Sequence, residues 1–599
     1  MENRSGETNN PQNSAENAFD YAAADITNEM PRGDMLQDPA GEPFQSTFEE
    51  EKPKKLNFFN KIGRMNPKKR AVLLVRIFIV IAFSALFAVY CVKNRANFEI
   101  DSLAVSTVSL AVFTAVLIAA VPQIIKVFSG DDAQLAPSGI EKANGKTFLK
   151  IVLAAFVLRA ALTIFGMIVF YCLNPKFQGS LLNLWQTAWT KVNTDAPHYC
   201  SIAENWYAST GEDRLLIVFF PMLPLLMRGL NLLTHNSFVS AQIINTLASC
   251  SAAGVLYLTL RPLLGEKKSR LAPFIWLLLP GSIFLNSGMT EPLFMLFTVL
   301  CFYALQKKKY LAAGIAAACA GFTRSPGVLL AVPLAIEGIG YCVRRARSGK
   351  KVGSAIAEIA LSLVISTFGT LAYLYINKVV AGDWFMFSVY QKSNWSQGLG
   401  FFFDTARYMY QRAIGDLKAA LGSGAFNGTN ITSVFVLFLP TVALIVLTPL
   451  LILRRARKLP AAYTLHFLAY FALAMGCTWL LSAMRYLSVV PAIIAAIAMS
   501  CKSEERTAAI FTVSAIAYAG YIFMYMRVLS VFKKRAAAPI AALISQFSAF
   551  FFNCPASGRL KKSPYWYKIR YGQNRSRNPP HLRFARKINF RRKKLCSDT

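Results

Sequence analysis

The chain has 599 residues, 54% hydrophobic and 16% charged, with a formal net charge of +34 and a mean hydropathy of +0.39. A soluble protein of this length would form several domains and carry nearer a quarter charged residues, so composition excludes that class. Many windows reach the roughly 18–20 apolar residues that take a helix across a bilayer, whereas a β-barrel would alternate in short segments.

The excess Lys and Arg lie in short clusters between apolar runs. That distribution marks cytoplasmic loops and contact with anionic membrane lipids, and it does not call for a nucleic-acid partner. The eleven Cys are scattered without a Cys-x-x-Cys pair, and the four His stand far apart. Neither a disulfide framework nor a histidine-based metal site is expected.

Residues 1–56 are polar and acidic and predict a disordered cytoplasmic tail. Lys52, Lys54, Lys55, Lys61, Arg64, Lys68, Lys69 and Arg70 then precede the first apolar run and hold that end in the cytoplasm. Three spans are predicted over 71–173, at 71–92, 102–128 and 147–173. An outer catalytic loop and an interfacial or re-entrant segment follow over 174–236. Pro221 and Pro224 interrupt the apolar run 217–228, and unpaired backbone groups are not tolerated in lipid. Spans are predicted again over 237–377, at 237–260, 271–288, 290–305, 310–323, 327–343 and 354–377. A second outer loop covers 378–431, C-terminal spans occupy 432–553, and a basic tail closes the chain at 554–599. The reading is an all-α polytopic membrane protein of about 12–14 transmembrane helices.

Ionisable groups near membrane depth cost about 2.5–3.5 kcal/mol each and so mark function or a buried partner. Four polar motifs fall at the predicted outer ends of spans. Asp195 precedes His198 and Tyr199 in a polar loop. Its carboxylate is placed to accept a proton from a hydroxyl, or to cap the helix that Pro197 begins. Glu291 interrupts an apolar run, as a ligand for a sugar hydroxyl or as a first-turn residue of the next helix. Arg324 and Arg485, the latter followed by Tyr486, stand on the outer side against the charge trend. Each suits a phosphate, because a guanidinium binds oxygens in pairs, or a lipid headgroup reached by snorkelling. Phe219 and Phe220, with the aromatics of the second outer loop, offer faces on which a sugar stacks, though aromatics are also ordinary at membrane interfaces. The sequons at Asn394, Asn427 and Asn430 fall in or beside that loop.

The order of these motifs resembles a known family. Asp195-x-x-His198-Tyr199, then Phe219-Phe220-Pro221-Met222-Leu223-Pro224-Leu225, Thr290-Glu291-Pro292-Leu293-Phe294, Thr323-Arg324-Ser325-Pro326-Gly327 and Arg485-Tyr486 resemble the GPI second-mannosyltransferase (PIG-V-like) family of GT-C glycosyltransferases. The resemblance covers about 190–330 and 480–490. Thr194 stands where that family commonly has Trp, Pro292 follows the Glu, and Pro326 replaces an Asn. These departures bear on the acceptor more than on the reaction.

The resemblance implies a GT-C-like bundle whose outer-face loops form the active site. It implies a polyprenyl- or dolichyl-phosphate sugar as donor, with mannose as the sugar, and a glycan or glycolipid acceptor. Asp195 would deprotonate the acceptor and the sugar would transfer with inversion. Arg324 and Arg485 would hold the leaving phosphate, while His198, Tyr199, Glu291 and Tyr486 would bind donor or acceptor. No cofactor is implied, and the acids do not form a divalent-metal site. The membrane would be the plasma membrane of a prokaryote or the endoplasmic reticulum of a eukaryote, with the site on the non-cytoplasmic face. The competing reading is a transporter or flippase of a lipid-linked sugar. Against it stand the absence of an inverted repeat and the position of the charges near span ends.

Overall fold

The computed structural model describes residues 65–95, 99–130, 145–190, 194–422, 434–478, 480 and 482–526. The chain divides into two units, Met1–Asn66 and Pro67–Thr599. The tail predicted over 1–56, the sequons at Asn427 and Asn430, and everything predicted after 526, including the basic tail, lie outside the described residues.

The described part of the second unit is helical. Its one β-bridge, among the described residues, joins Leu399 and Cys477. Seven helices are long and apolar enough to cross a membrane: Pro67–Lys93, Ile100–Phe128, Gly145–Leu173, Ser237–Leu277, Ser325–Arg347, Gly353–Ala381 and Glu504–Met526. Two bent pairs bring the count to as many as nine, with Tyr310–Thr323, Leu439–Leu453 and Ala461–Ala474 as shorter apolar helices. The protein is a multi-pass integral membrane protein.

Two breaks shape the end of the bundle that matters here. The helix Ser237–Leu277 contains the whole of one predicted span and the start of the next, and it departs from helical geometry at Gly265, where φ is 72°. Glu266 secures that break by accepting from the Tyr257 hydroxyl at 2.9 Å, Arg261 Nε at 2.6 Å and Arg270 Nε at 2.7 Å. The span predicted to run to 288 stops at Leu277 instead. Leu279 precedes Pro280 and takes an extended backbone (φ −62°, ψ 141°), because a residue before proline is pushed out of the helical region. The chain continues as the 3-10 turn Pro280–Asn286 and then bends by 107° into the helix Glu291–Gln306. A second bend, of 114°, separates Glu212–Val218 from Met222–Thr234 at Phe219, Phe220 and Pro221.

Glycines bring the supporting helices together at their backbones. A Cβ at Gly369 would sit 1.8 Å from the Ala318 carbonyl oxygen, and one at Gly314 would sit 2.5 Å from that of Ser362. Tyr310–Thr323 and Gly353–Ala381 therefore touch main chain to main chain, the small-residue packing that replaces hydrophobic drive in lipid. Gly327 lets the turn after Arg324 fold back on the end of the same helix, where a Cβ would meet the Ala320 carbonyl carbon at 2.2 Å. Gly281 does the same between segments, since a Cβ there would meet the Met484 carbonyl oxygen at 2.1 Å.

Gly369→Ala should cost about 1–3 kcal/mol, as overpacking does. Gly229→Ala, in the helix Met222–Thr234 with nothing within 4 Å of the added carbon, should be neutral or stabilising. Thermal unfolding of the purified variants in detergent checks both. Equal midpoints would mean that the close contact at Gly369 is not tight.

Candidate active site

Asp195 stands immediately before the helix Ala196–Asn205, with Pro197 in its first turn. Its side chain makes no capping bond to that helix. The capping alternative that spacing allowed is not used. Instead its Oδ2 accepts from Arg485 Nη1 at 2.6 Å.

Arg485 lies on the short helix Ala483–Leu487, seated against the Pro280–Asn286 turn by Gly281. Its Nε donates to Glu291 Oε1. Glu291 opens its own helix just after the turn at Gly288, where φ is 68°. The same Oε1 accepts from Arg324 Nη1, and Arg324 Nη1 also lies 3.3 Å from Thr290 Oγ1. Arg324 holds an extended backbone between the helix Tyr310–Thr323 and the turn Ser325–Leu330, so its side chain leaves the helix end.

The result is one chain of alternating charge, Asp195, Arg485, Glu291, Arg324. Two acids balance two guanidinium groups. Exposure is graded along it: the Glu291 side chain is 0% exposed, Arg485 5%, Arg324 10% and Asp195 31%. Asp195 is thus the member that faces outward. Glu291 Oε2 is buried without a hydrogen-bond partner.

Aromatic rings enclose this chain. Tyr486 lies with its ring 5.2 Å from the Arg324 guanidinium carbon and 6.0 Å from that of Arg485. Phe284 approaches Arg485 at 5.5 Å. Beneath Tyr486, the Tyr470 hydroxyl donates to its carbonyl at 3.0 Å. Such contacts between guanidinium and ring strengthen where water is excluded.

His198 does not join the charge chain through a hydrogen bond. It stacks on Phe219 with centroids 4.9 Å apart and 21° between planes. Tyr199 meets the same ring edge-on at 5.5 Å, and Trp395, the last residue of the helix Met386–Trp395, meets it at 6.1 Å. Burial holds the His198 imidazole below its ordinary range, against the opposing pull of Asp195 and Asp213. Burial raises the Tyr199 phenol, so it stays a neutral hydroxyl.

All seven residues singled out in the sequence therefore fall in one neighbourhood, with Asp195, Glu291, Arg324 and Arg485 bonded and His198, Tyr199 and Tyr486 around them. Sequence reading missed Phe284 and Tyr470, and gave Thr290 no contact with Arg324. Phe284 and Tyr470 are aromatics inside apolar runs, where composition gives no signal. Among the described residues, no group of three or more His, Cys, Asp or Glu side chains is placed to hold a metal ion. The chain offers oxygens to hydroxyls and guanidinium N–H groups to an anion.

Two solved structures are similar to this chain. One is ArnT from Cupriavidus metallidurans bound to undecaprenyl phosphate, 14% identical, with 63% of this chain and 77% of that chain covered and a TM-score of 0.36. The other is the archaeal oligosaccharyltransferase AglB from Archaeoglobus fulgidus in complex with an inhibitory peptide and a dolichol-phosphate, 13% identical, with 69% and 61% covered and a TM-score of 0.31. No curated protein matches the chain. Residues 220–373 match the family of dolichyl-phosphate-mannose-protein mannosyltransferases, a stretch that holds Glu291 and Arg324 and leaves out Asp195 and Arg485.

Proposed function

We propose that this protein is an integral-membrane glycosyltransferase that moves a hexose, mannose, from a polyprenyl- or dolichyl-phosphate donor to a hydroxyl of a glycan or glycolipid, on the non-cytoplasmic face. The observation that carries the reading is the ion chain of Asp195, Arg485, Glu291 and Arg324, two of whose members lie within the mannosyltransferase match.

The acceptor hydroxyl approaches Asp195, the exposed end of the chain, and attacks the anomeric carbon. Its proton passes to the Asp195 carboxylate as the new C–O bond forms. The bond from the anomeric carbon to the lipid phosphate breaks, and its electron pair stays on the phosphate. Arg324 and Arg485 receive that charge in a site with little water, where fixed donors are worth most. One displacement at that carbon inverts it. Glu291 keeps both guanidinium groups in place and offsets their charge before the donor arrives. Neutral His198, flat on Phe219, donates or accepts a hydrogen bond at the sugar. Tyr199 and Tyr486 shape the walls. A lipid-borne leaving group accounts for a charged site at the end of apolar spans.

Asp195→Asn should keep the fold and lower transfer by about 10²–10⁴-fold, the usual contribution of a positioned base. The assay is transfer of labelled mannose from polyprenyl-phosphate-mannose to extract-derived acceptors. Unchanged transfer by the variant removes Asp195 as base, and no transfer by wild type to any acceptor removes the enzyme reading. Glu291→Ala leaves the buried Arg324 without its carboxylate and Arg485 with Asp195 alone, and should destabilise by about 3–5 kcal/mol, with Glu291→Gln milder. Unfolding midpoints in detergent decide this, and a neutral Glu291→Ala contradicts the clamp. The depressed His198 makes a signed pH prediction. Its contribution to stability is complete above the ordinary histidine value of about 6.5 and is lost as pH falls through the lower folded value. Wild type should therefore lose stability relative to His198→Gln only on the acid side. A constant difference across pH would mean that His198 is not held neutral by burial.

A further inference from the structure

A second buried cation stands outside the ion chain. Arg159 lies in the middle of the helix Gly145–Leu173, between the exposed Phe156 and Val157 and the exposed Ile164, yet is itself only 4% exposed. Among the described residues no carboxylate pairs with it. Its Nη1 donates to the Asn245 carbonyl at 2.7 Å and to Ser249 Oγ, while its Nη2 is buried without a partner.

The groups around Arg159 are also unfinished. Asn245 has both side-chain amide atoms buried and unpartnered. The Tyr518 hydroxyl joins this group through Asn286, which Gln242 ties to the helix that carries Asn245. It accepts from Asn286 Nδ2 at 3.3 Å, and Asn286 Oδ1 is buried and unpartnered. Gln242 fixes Asn286 by donating to its carbonyl at 2.8 Å. Asn245, Ser249, Asn286 and Tyr518 are each 1% exposed or less. A guanidinium without a carboxylate and three amide atoms without partners in one apolar interior are costly unless a partner satisfies them.

We infer that Arg159, Asn245, Asn286 and Tyr518 form a second ligand site, for a phosphate that carries a hydroxyl. The donor and acceptor balance selects that chemistry. Arg159 Nη2 and Asn245 Nδ2 offer N–H groups to anionic oxygens, and the guanidinium fork takes phosphate oxygens well. Asn245 Oδ1 and Asn286 Oδ1 need donors in return, which a halide cannot supply. A hydrogen phosphate or a lipid phosphate monoester supplies both. The site borders the turn that carries the transfer residues: Asn286 faces Tyr518, and Phe284, two residues earlier, faces Arg485. It is distinct from the Arg324–Arg485 pair and does not depend on the transfer reading.

The test counts phosphate on the purified full chain in phosphate-free detergent. Two radiolabelled probes separate the sources: inorganic phosphate, and farnesyl phosphate as a short lipid monoester. Both are measured on wild type, Arg159→Gln and Asn245→Leu. In both variants one bound phosphate per chain should weaken by roughly 10–100-fold, the value of a lost charged or buried hydrogen bond. The probe that shows the loss names the source. Asn245→Leu keeps the charge and serves if Arg159→Gln does not fold. Equal phosphate binding by wild type and a folded variant overturns the site and leaves ordered water as its content. Failure of sugar transfer would not affect this count.

Discussion

The site-bearing end of this bundle depends on one constraint: four charged groups at the edge of an apolar interior must compensate one another. Glu291 is fully buried, which is tolerable only because two guanidinium groups reach the same oxygen. Arg485 is buried because it has carboxylates on both sides. Remove the middle of that chain and the ends are left as isolated charges. The arrangement is therefore cooperative, and it forces four remote segments to meet at one place.

The backbone devices around it serve that meeting. Pro280 ends a span early and turns the chain, so that Glu291 begins a helix at the right depth. Gly281 lets the helix of Arg485 press against that turn, and Gly327 folds the segment after Arg324 back on its helix. Pro197 starts the helix behind Asp195 while leaving the carboxylate free of the backbone. Stability and the proposed chemistry share the same residues here: the contacts that seat the charges also bury them, and exclusion of water is what would strengthen an arginine's hold on a developing phosphate charge.

Much of the fold was legible because long apolar runs have few other uses. The helices Pro67–Lys93, Ile100–Phe128 and Gly145–Leu173 cover the first three apolar runs. Hydropathy carries the run on to 288 because it does not register what Pro280 does to the residue before it. The site residues were legible one at a time, since each is a charge or polar break in apolar sequence. Their pairing was not. Glu291 lies 33 residues from Arg324 and 194 from Arg485, and Asp195 lies 290 from Arg485. Nothing in local pattern links them. Capping and catalysis give Asp195 the same sequence signature, and the structure shows no capping bond from its side chain. Arg159 is the opposite case. An arginine in the middle of a 29-residue apolar helix is a readable signal, and it was passed over inside an otherwise plain span.

The central claim is that the ion chain is where a lipid-borne phosphate sugar is handled. A photoreactive polyprenyl phosphate, bound to the purified protein and activated by light, tests it most directly. The account predicts label on the peptides that carry Asp195, Glu291, Arg324 and Arg485, with competition by unmodified polyprenyl phosphate and loss in Arg324→Gln with Arg485→Gln. Competable label confined to other segments, and unchanged in that double variant, would contradict it.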